Sequence, residues 1–121
     1  TVDGGEEAVR SGLAEAVGDD ARFRVVSDGR RLGFYLNFER GLAAVPEEAE
    51  WIALSDQDDH WYPSKLEVML PHLAEVALVS GQARLVQWPE EREIGVTERL
   101  DLGAALTMLV NQYTGSLCVF R

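Results

Sequence analysis

The chain has 121 residues, 46% of them apolar and 26% charged, the length and balance of one globular domain. That composition excludes disorder and fibrous repeats, and no apolar run approaches the roughly eighteen residues that span a bilayer. Acidic residues number 21 against 11 basic ones, a net charge of −10 that repels nucleic acid and anionic headgroups. The single cysteine, Cys118, excludes an internal disulfide and a thiolate metal cluster. Thr1–Glu7 has neither the basic region nor the apolar run of a signal peptide, so the expected compartment is the cytoplasm.

Val9, Leu13, Ala16 and Val17 recur at helical spacing, predicting an amphipathic helix over Glu6–Val17 that Gly12 weakens. Phe23–Val26, bounded by Ser27-Asp28-Gly29, predicts a strand. Phe34, Phe38, Leu42 and Val45 share one face of a helix from Gly33 to about Val45, closed by Pro46. Trp51–Leu54 is a continuous apolar run, the pattern of a central strand buried on both faces, and it opens onto Ser55-Asp56-Gln57-Asp58-Asp59. Pro63 and Ser64 suit the first turn of a helix with Leu66, Met69, Leu70 and Leu73 on its apolar face. Val76–Ser80 and Ala83–Trp88 read as strands separated by Gly81, followed by Pro89 and the charged loop Glu90–Glu93. A last helix, with Leu102, Leu106, Leu109 and Val110 on one side, leads through Tyr113-Thr114-Gly115 to a final strand, Leu117–Phe120.

This order predicts an α/β domain of three layers with a mostly parallel central sheet, residues 1–121 forming a single domain. No strand precedes the first helix and the last strand ends flush with the chain, so the domain reads as incomplete, a fragment at both ends.

Ligands of open α/β sheets bind at the carboxyl ends of the strands, which directs attention to the loop after the most apolar strand. That loop holds Asp56, Asp58 and Asp59 within four positions. Three ionised carboxylates so close call for a divalent cation, a neighbouring basic group or a retained proton. Mg²⁺ or Mn²⁺ prefers oxygen ligands and often takes only one or two from protein, the rest coming from phosphate and water. The plain alternative is a solvated acidic loop in which Asp59 caps the following helix. An EF-hand is excluded, because His60 and Trp61 fall where that loop needs an oxygen ligand and a glycine.

The segment Leu54-Ser55-Asp56-Gln57-Asp58-Asp59-His60-Trp61-Tyr62-Pro63-Ser64-Lys65-Leu66 resembles the DxD segment of family 2 glycosyltransferases, most closely their rhamnosyltransferase-like branch. Leu32-Gly33-Phe34-Tyr35-Leu36-Asn37-Phe38-Glu39-Arg40-Gly41-Leu42 is similar to the family's N-L-G-F-x-x-N-F-x-x-G-L helix, and Asn111–Ser116 to its N-x-x-T-G segment. The three run in family order over most of the chain. Arg31 replaces the usual Asn, and the opening strand that contacts the nucleotide base has no counterpart. Thr1–Gly4 resembles the tail of an acidic D-D-G-S-x-D-G segment without its leading pair, and the family's general base would lie beyond Arg121.

The resemblance implies a GT-A-like, Rossmann-like fold and a metal-dependent inverting glycosyltransferase of cell-surface polysaccharide biosynthesis. The donor would be a nucleoside-diphosphate sugar, with dTDP-rhamnose one candidate, and the acceptor a glycan or lipid-linked saccharide at the inner face of the membrane. It assigns Asp58 and Asp56 to Mg²⁺ or Mn²⁺, and Asp56, Asp58 and Asp59 to the nucleotide sugar. Asp56 would face the ribose or the metal's water, and Asp59 would be a supporting partner or the helix cap. Trp61, Thr114, Gly115 and Ser116 would line the sugar and acceptor pocket. No processive Gln-x-x-Arg-Trp element is present, which favours transfer of one sugar.

Each candidate has a simpler reading. Trp61 and Tyr62 also suit packing of the loop on the next helix, Thr114–Ser116 a plain turn, His60 a solvated loop position and Lys65 an exposed helix position rather than a counter-charge. His72 reads as surface, Cys118 as core, and Asn37 and Arg40 as helix support. The alternative functions are a non-catalytic module of the same fold that binds a nucleotide sugar or metal, and an acidic structural domain with no ligand.

Overall fold

The computed structural model describes residues 1–121, the side chain of Ala104 excepted, and they form two compact units, Thr1–Ala49 and Glu50–Arg121. In the first, helix α1 (Glu6–Val17) has the predicted bounds. Gly5 before it and Gly18 after it take positive φ, the left-handed turns that glycine reaches without a Cβ clash. Helix α2 (Phe34–Ala43) follows Gly33. Both oxygens of the Asp3 carboxylate accept backbone N–H groups there, from Leu32 and Gly33. Arg40 of α2 pairs with Asp28 at 2.7 Å and donates to Asn37 Oδ1 and the Val2 carbonyl, the helix-support role its sequence suggests.

The predicted strand Phe23–Val26 does not form. The segment takes no regular structure, and it meets the start of the chain through one backbone bond, from the Val2 N–H to the Val26 carbonyl at 3.0 Å. β-branched residues favour extended backbone, but a strand exists only where a neighbour supplies a ladder.

The second unit is built on a three-stranded sheet. Its strands are β1 (Ile52–Ala53), β2 (Leu78–Ser80) and, between them, the last strand of the chain at Cys118–Phe120. This last strand runs antiparallel to both neighbours, pairing Ala53 with Val119 on one side and Val79 with Val119 on the other. The mostly parallel sheet expected from the element order is therefore corrected: β1 and β2 share a direction but no ladder. The apolar run at Trp51–Leu54 is correspondingly a partly buried edge, and the central place belongs to the final strand. Element order identifies strands; it does not identify which segment slides between them.

Helix α3 (Lys65–Met69) continues into a 3₁₀ turn over Leu70–Ala74. Pro71 has no N–H to give the helix ladder, which tightens the continuation. Met69 and Leu73 present their side chains to Val119, with Ala53, Leu66, Leu70 and Val79 packed around them. This is the buried apolar cluster of the unit.

β3 (Arg84–Gln87) and β4 (Arg92–Val96) form a separate antiparallel hairpin. The sequence reads Glu90–Glu93 as loop, whereas Arg92 and Glu93 begin β4. Both side chains find partners across the hairpin: Arg84 pairs with Glu93 at 3.1 Å and Arg92 donates to the neutral Gln87 carboxamide at 2.6 Å. Helix α4 covers only Gly103–Thr107, short of the apolar run to Val110. The final strand, Cys118–Phe120, is β5, entered through a 3₁₀ turn at Gly115–Leu117. Among the described residues no helix is long and apolar enough to cross a membrane.

Candidate functional site

The second unit gathers most of the candidate residues. β1 delivers the chain into the acidic loop, where the Asp59 N–H reaches the Asp56 carbonyl at 3.4 Å across a turn with Gln57 and Asp58 at its tip. Asp56 is partly buried; Asp58, Asp59 and His60 are exposed. The Ser55 hydroxyl donates to the main-chain carbonyl of Asp56. None of the three carboxylates has an ion-pair or side-chain hydrogen-bond partner among the described residues.

These uncommitted oxygens fit a hard cation that takes one or two ligands from protein. They do not fit a closed protein cage, since no group of three or more His, Cys, Asp or Glu side chains converges on a metal position among the described residues.

The antiparallel register explains why Thr114–Ser116 lies at the same end of the sheet. Ile52 stands opposite Phe120 and Ala53 opposite Val119, so moving forward along β1 means moving backward along β5 toward its 3₁₀ turn. Leu54 accordingly lies against Gly115: a Cβ at that glycine would sit 3.5 Å from Leu54 Cδ1, an ordinary contact. A parallel neighbour would have brought the opposite end of β5 here. Ser116 is buried, Thr114 partly so, and Gly115 exposed.

Lys65 joins the two halves. Its Nζ donates to the Ser116 carbonyl at 2.6 Å and stands 3.5 Å from the centroid of the Trp61 ring. Withdrawal from water holds the Lys65 pKa below the ordinary lysine value, while the negative charge of Asp59 acts in the opposite direction. The indole Nε1 of Trp61 is out of solvent without a partner among the described residues. Tyr62 is exposed, with the Arg84 guanidinium 5.8 Å from its ring centroid.

A second support holds Thr114. Arg99 Nη2 donates to Thr114 Oγ1 at 3.0 Å, and the Gln82 carboxamide brackets Arg99 by accepting from its N–H and donating to its carbonyl. Cys118 is buried, as its apolar setting predicts, with Sγ 3.1 Å from the Thr114 carbonyl. His72 is exposed on the 3₁₀ turn. Arg99 and Gln82 escape a reading of spacing, because they lie 15 and 32 positions before Thr114 and carry no local motif. The legible hint for Lys65 was its place four residues after Trp61, a separation that brings side chains together where the chain coils.

In the first unit, a shallow concavity beside α1 is lined by Leu13, Val17, Phe23 and Val25 and includes Asp20, whose carboxylate is already paired with Arg22 at 2.6 Å. It offers no free acid or base comparable to the loop after β1.

No curated protein and no solved structure matches the chain. The model of the glycosyl transferase family 2 matches residues 2–120, so it takes in the acidic loop, the helix α2 segment and the Thr114–Ser116 turn together. The chain therefore belongs to the family 2 glycosyltransferases.

Proposed function

We propose that this chain transfers a single sugar, with inversion, from a nucleoside-diphosphate donor to a saccharide or lipid-linked acceptor in cell-surface polysaccharide biosynthesis. Family membership implies glycosyl transfer on a GT-A fold. The narrower reading rests on the uncommitted carboxylates at the end of β1, beside the turn that precedes β5. Residues 1–121 then act as one glycosyltransferase-like domain, in keeping with a family match that runs across both compact units.

In this reading Asp58, exposed at the tip of the turn, is the principal Mg²⁺ or Mn²⁺ ligand, and Asp56 faces the ribose or the cation's water. When bound, the cation supplies neutralising charge to the departing diphosphate. Asp59 supports the loop and balances Lys65. Trp61 offers an aromatic face to a sugar, and Thr114, Gly115 and Ser116 border the acceptor side. The acceptor hydroxyl attacks the anomeric carbon opposite the leaving diphosphate, and its proton passes to a base that no residue of this chain is assigned to supply. The rhamnosyltransferase-like segment around Asp56–Leu66 makes dTDP-rhamnose the first donor to try. Cytoplasmic action at the inner membrane face accords with a lipid-linked acceptor.

The test is calorimetric titration of dTDP, UDP and GDP with and without Mn²⁺, repeated on Asp58→Asn. The expected result is Mn²⁺-dependent binding of one nucleotide that weakens at least about tenfold in the variant, roughly 1.4 kcal/mol. Binding without turnover of any donor would favour the non-catalytic module. Absence of metal-dependent binding would remove the transferase reading of the loop.

A further inference from the structure

We propose that Lys65 is a positioning residue of this site, its ammonium clamping the Trp61 ring to the Ser116 carbonyl and so fixing the Thr114–Ser116 turn against the acidic loop. The inference rests on the transferase reading only for the task the clamp serves; the clamp itself is a matter of geometry.

Two contacts converge on one nitrogen, a 2.6 Å hydrogen bond to Ser116 and a 3.5 Å approach to the Trp61 ring. A lysine at the start of a short helix ordinarily keeps its long side chain in water, because ordering it costs about 1.5–2 kcal/mol of rotamer freedom. Lys65 is instead partly buried, and a charge-assisted bond to a carbonyl is the kind of contact that offsets that cost. The Ser116 carbonyl belongs to a buried residue of the 3₁₀ turn, where a lost donor is felt most. Trp61 depends on the same nitrogen: with no partner for its own Nε1, the ammonium on its face is its polar restraint among the described residues. Trp61 follows Asp59 by two residues, and the Asp59 charge acts on the same ammonium without an ion pair among the described residues.

Lys65→Met keeps the apolar stem and removes the cation; Lys65→Arg restores a cation of different shape. Both are made in a Trp51→Phe/Trp88→Phe background, which leaves Trp61 as the sole tryptophan and changes two exposed residues. An ammonium on the ring quenches indole emission by donating a proton to the excited state, so Lys65→Met is expected to raise Trp61 emission, and Lys65→Arg, whose guanidinium is too weak an acid to donate that proton, to raise it as well while keeping a cation beside the Ser116 carbonyl. Amide exchange at Leu117, whose N–H closes the turn onto the Thr114 carbonyl, is expected to speed up about tenfold in Lys65→Met. Emission and exchange that do not change in Lys65→Met overturn the proposal, as does a Lys65→Arg chain whose Leu117 amide exchanges as fast as that of Lys65→Met.

A parallel dTDP titration with Mn²⁺ separates this idea from the one beneath it. A Lys65→Met chain that binds within about threefold of its parent, while Asp58→Asn binds at least about tenfold more weakly, supports positioning. A weakening as large as in Asp58→Asn overturns it and makes Lys65 a direct ligand contact. If the parent itself binds no nucleotide, the transferase reading fails, and emission and exchange alone decide the clamp.

Discussion

Val119 has no solvent exposure and stands between Ala53 and Val79, where β5 meets both neighbouring strands, with Met69 and Leu73 against its face. In so small a cluster each methyl group counts, since few other contacts can relax into a void. Val119→Ala is expected to lower the unfolding free energy by about 2 kcal/mol, read as a fall in the denaturation midpoint at unchanged slope. A cost below about 0.5 kcal/mol would mean that the β5 ladder, and not this side chain, centres the unit. The sequence marks Val119 as apolar and in a strand. Its position at the middle of the sheet follows from pairing with segments some 40 and 65 residues away, which no local pattern encodes.

Helix α2 is an element whose bounds are legible but whose anchoring is not. Phe34, Phe38 and Leu42 recur at helical spacing, so the helix itself is readable. Its start depends on Gly33, with φ 80° and ψ 166°, a region open almost only to glycine, and on the distant Asp3 carboxylate. No atom lies within 4 Å of a Cβ built on Gly33, so an added methyl meets strain but no clash. Gly33→Ala is thus expected to destabilise by about 1–3 kcal/mol and to speed exchange of the Asn37 N–H, which bonds to the Gly33 carbonyl. An unchanged midpoint and exchange rate would show that the helix starts by another route. The hairpin teaches the reverse lesson: the charges of Arg92 and Glu93 read as loop because their partners, Gln87 and Arg84, lie across a turn.

Electrostatics set the behaviour of the whole molecule, with a net charge of −10 and a sequence pI near 4.5. Arg22 and Arg30 hold the Asp20 and Asp28 carboxyls below the ordinary carboxylate range, and Arg10 does the same for Glu6. Groups depressed on folding contribute stability above their unfolded pKa and lose it as pH falls through the folded value. Stability is therefore expected to be level from neutrality to about pH 5 and to decline below the ordinary carboxylate range near pH 4. These pairs are solvent-exposed, so added salt should shrink the decline. Denaturation midpoints between pH 7 and pH 3, at low and high salt, measure both effects; equal midpoints at the two pH extremes would refute the first.

The sequence alone determined the classes of segment: both helices of the first unit, the apolar strands of the second, the acidic loop and the three motif segments that carry the family likeness. Those are local properties, set by side-chain periodicity, turn residues and residue type within a dozen positions. Tertiary structure alone decided what lies beside what. Antiparallel insertion of β5 places the Thr114–Ser116 turn at the acidic end of β1, and the same fold withdraws Lys65 from water onto Trp61 and Ser116. Strand pairing and burial join residues that are far apart in the chain, and their free energy depends on partners that no local window of the sequence contains.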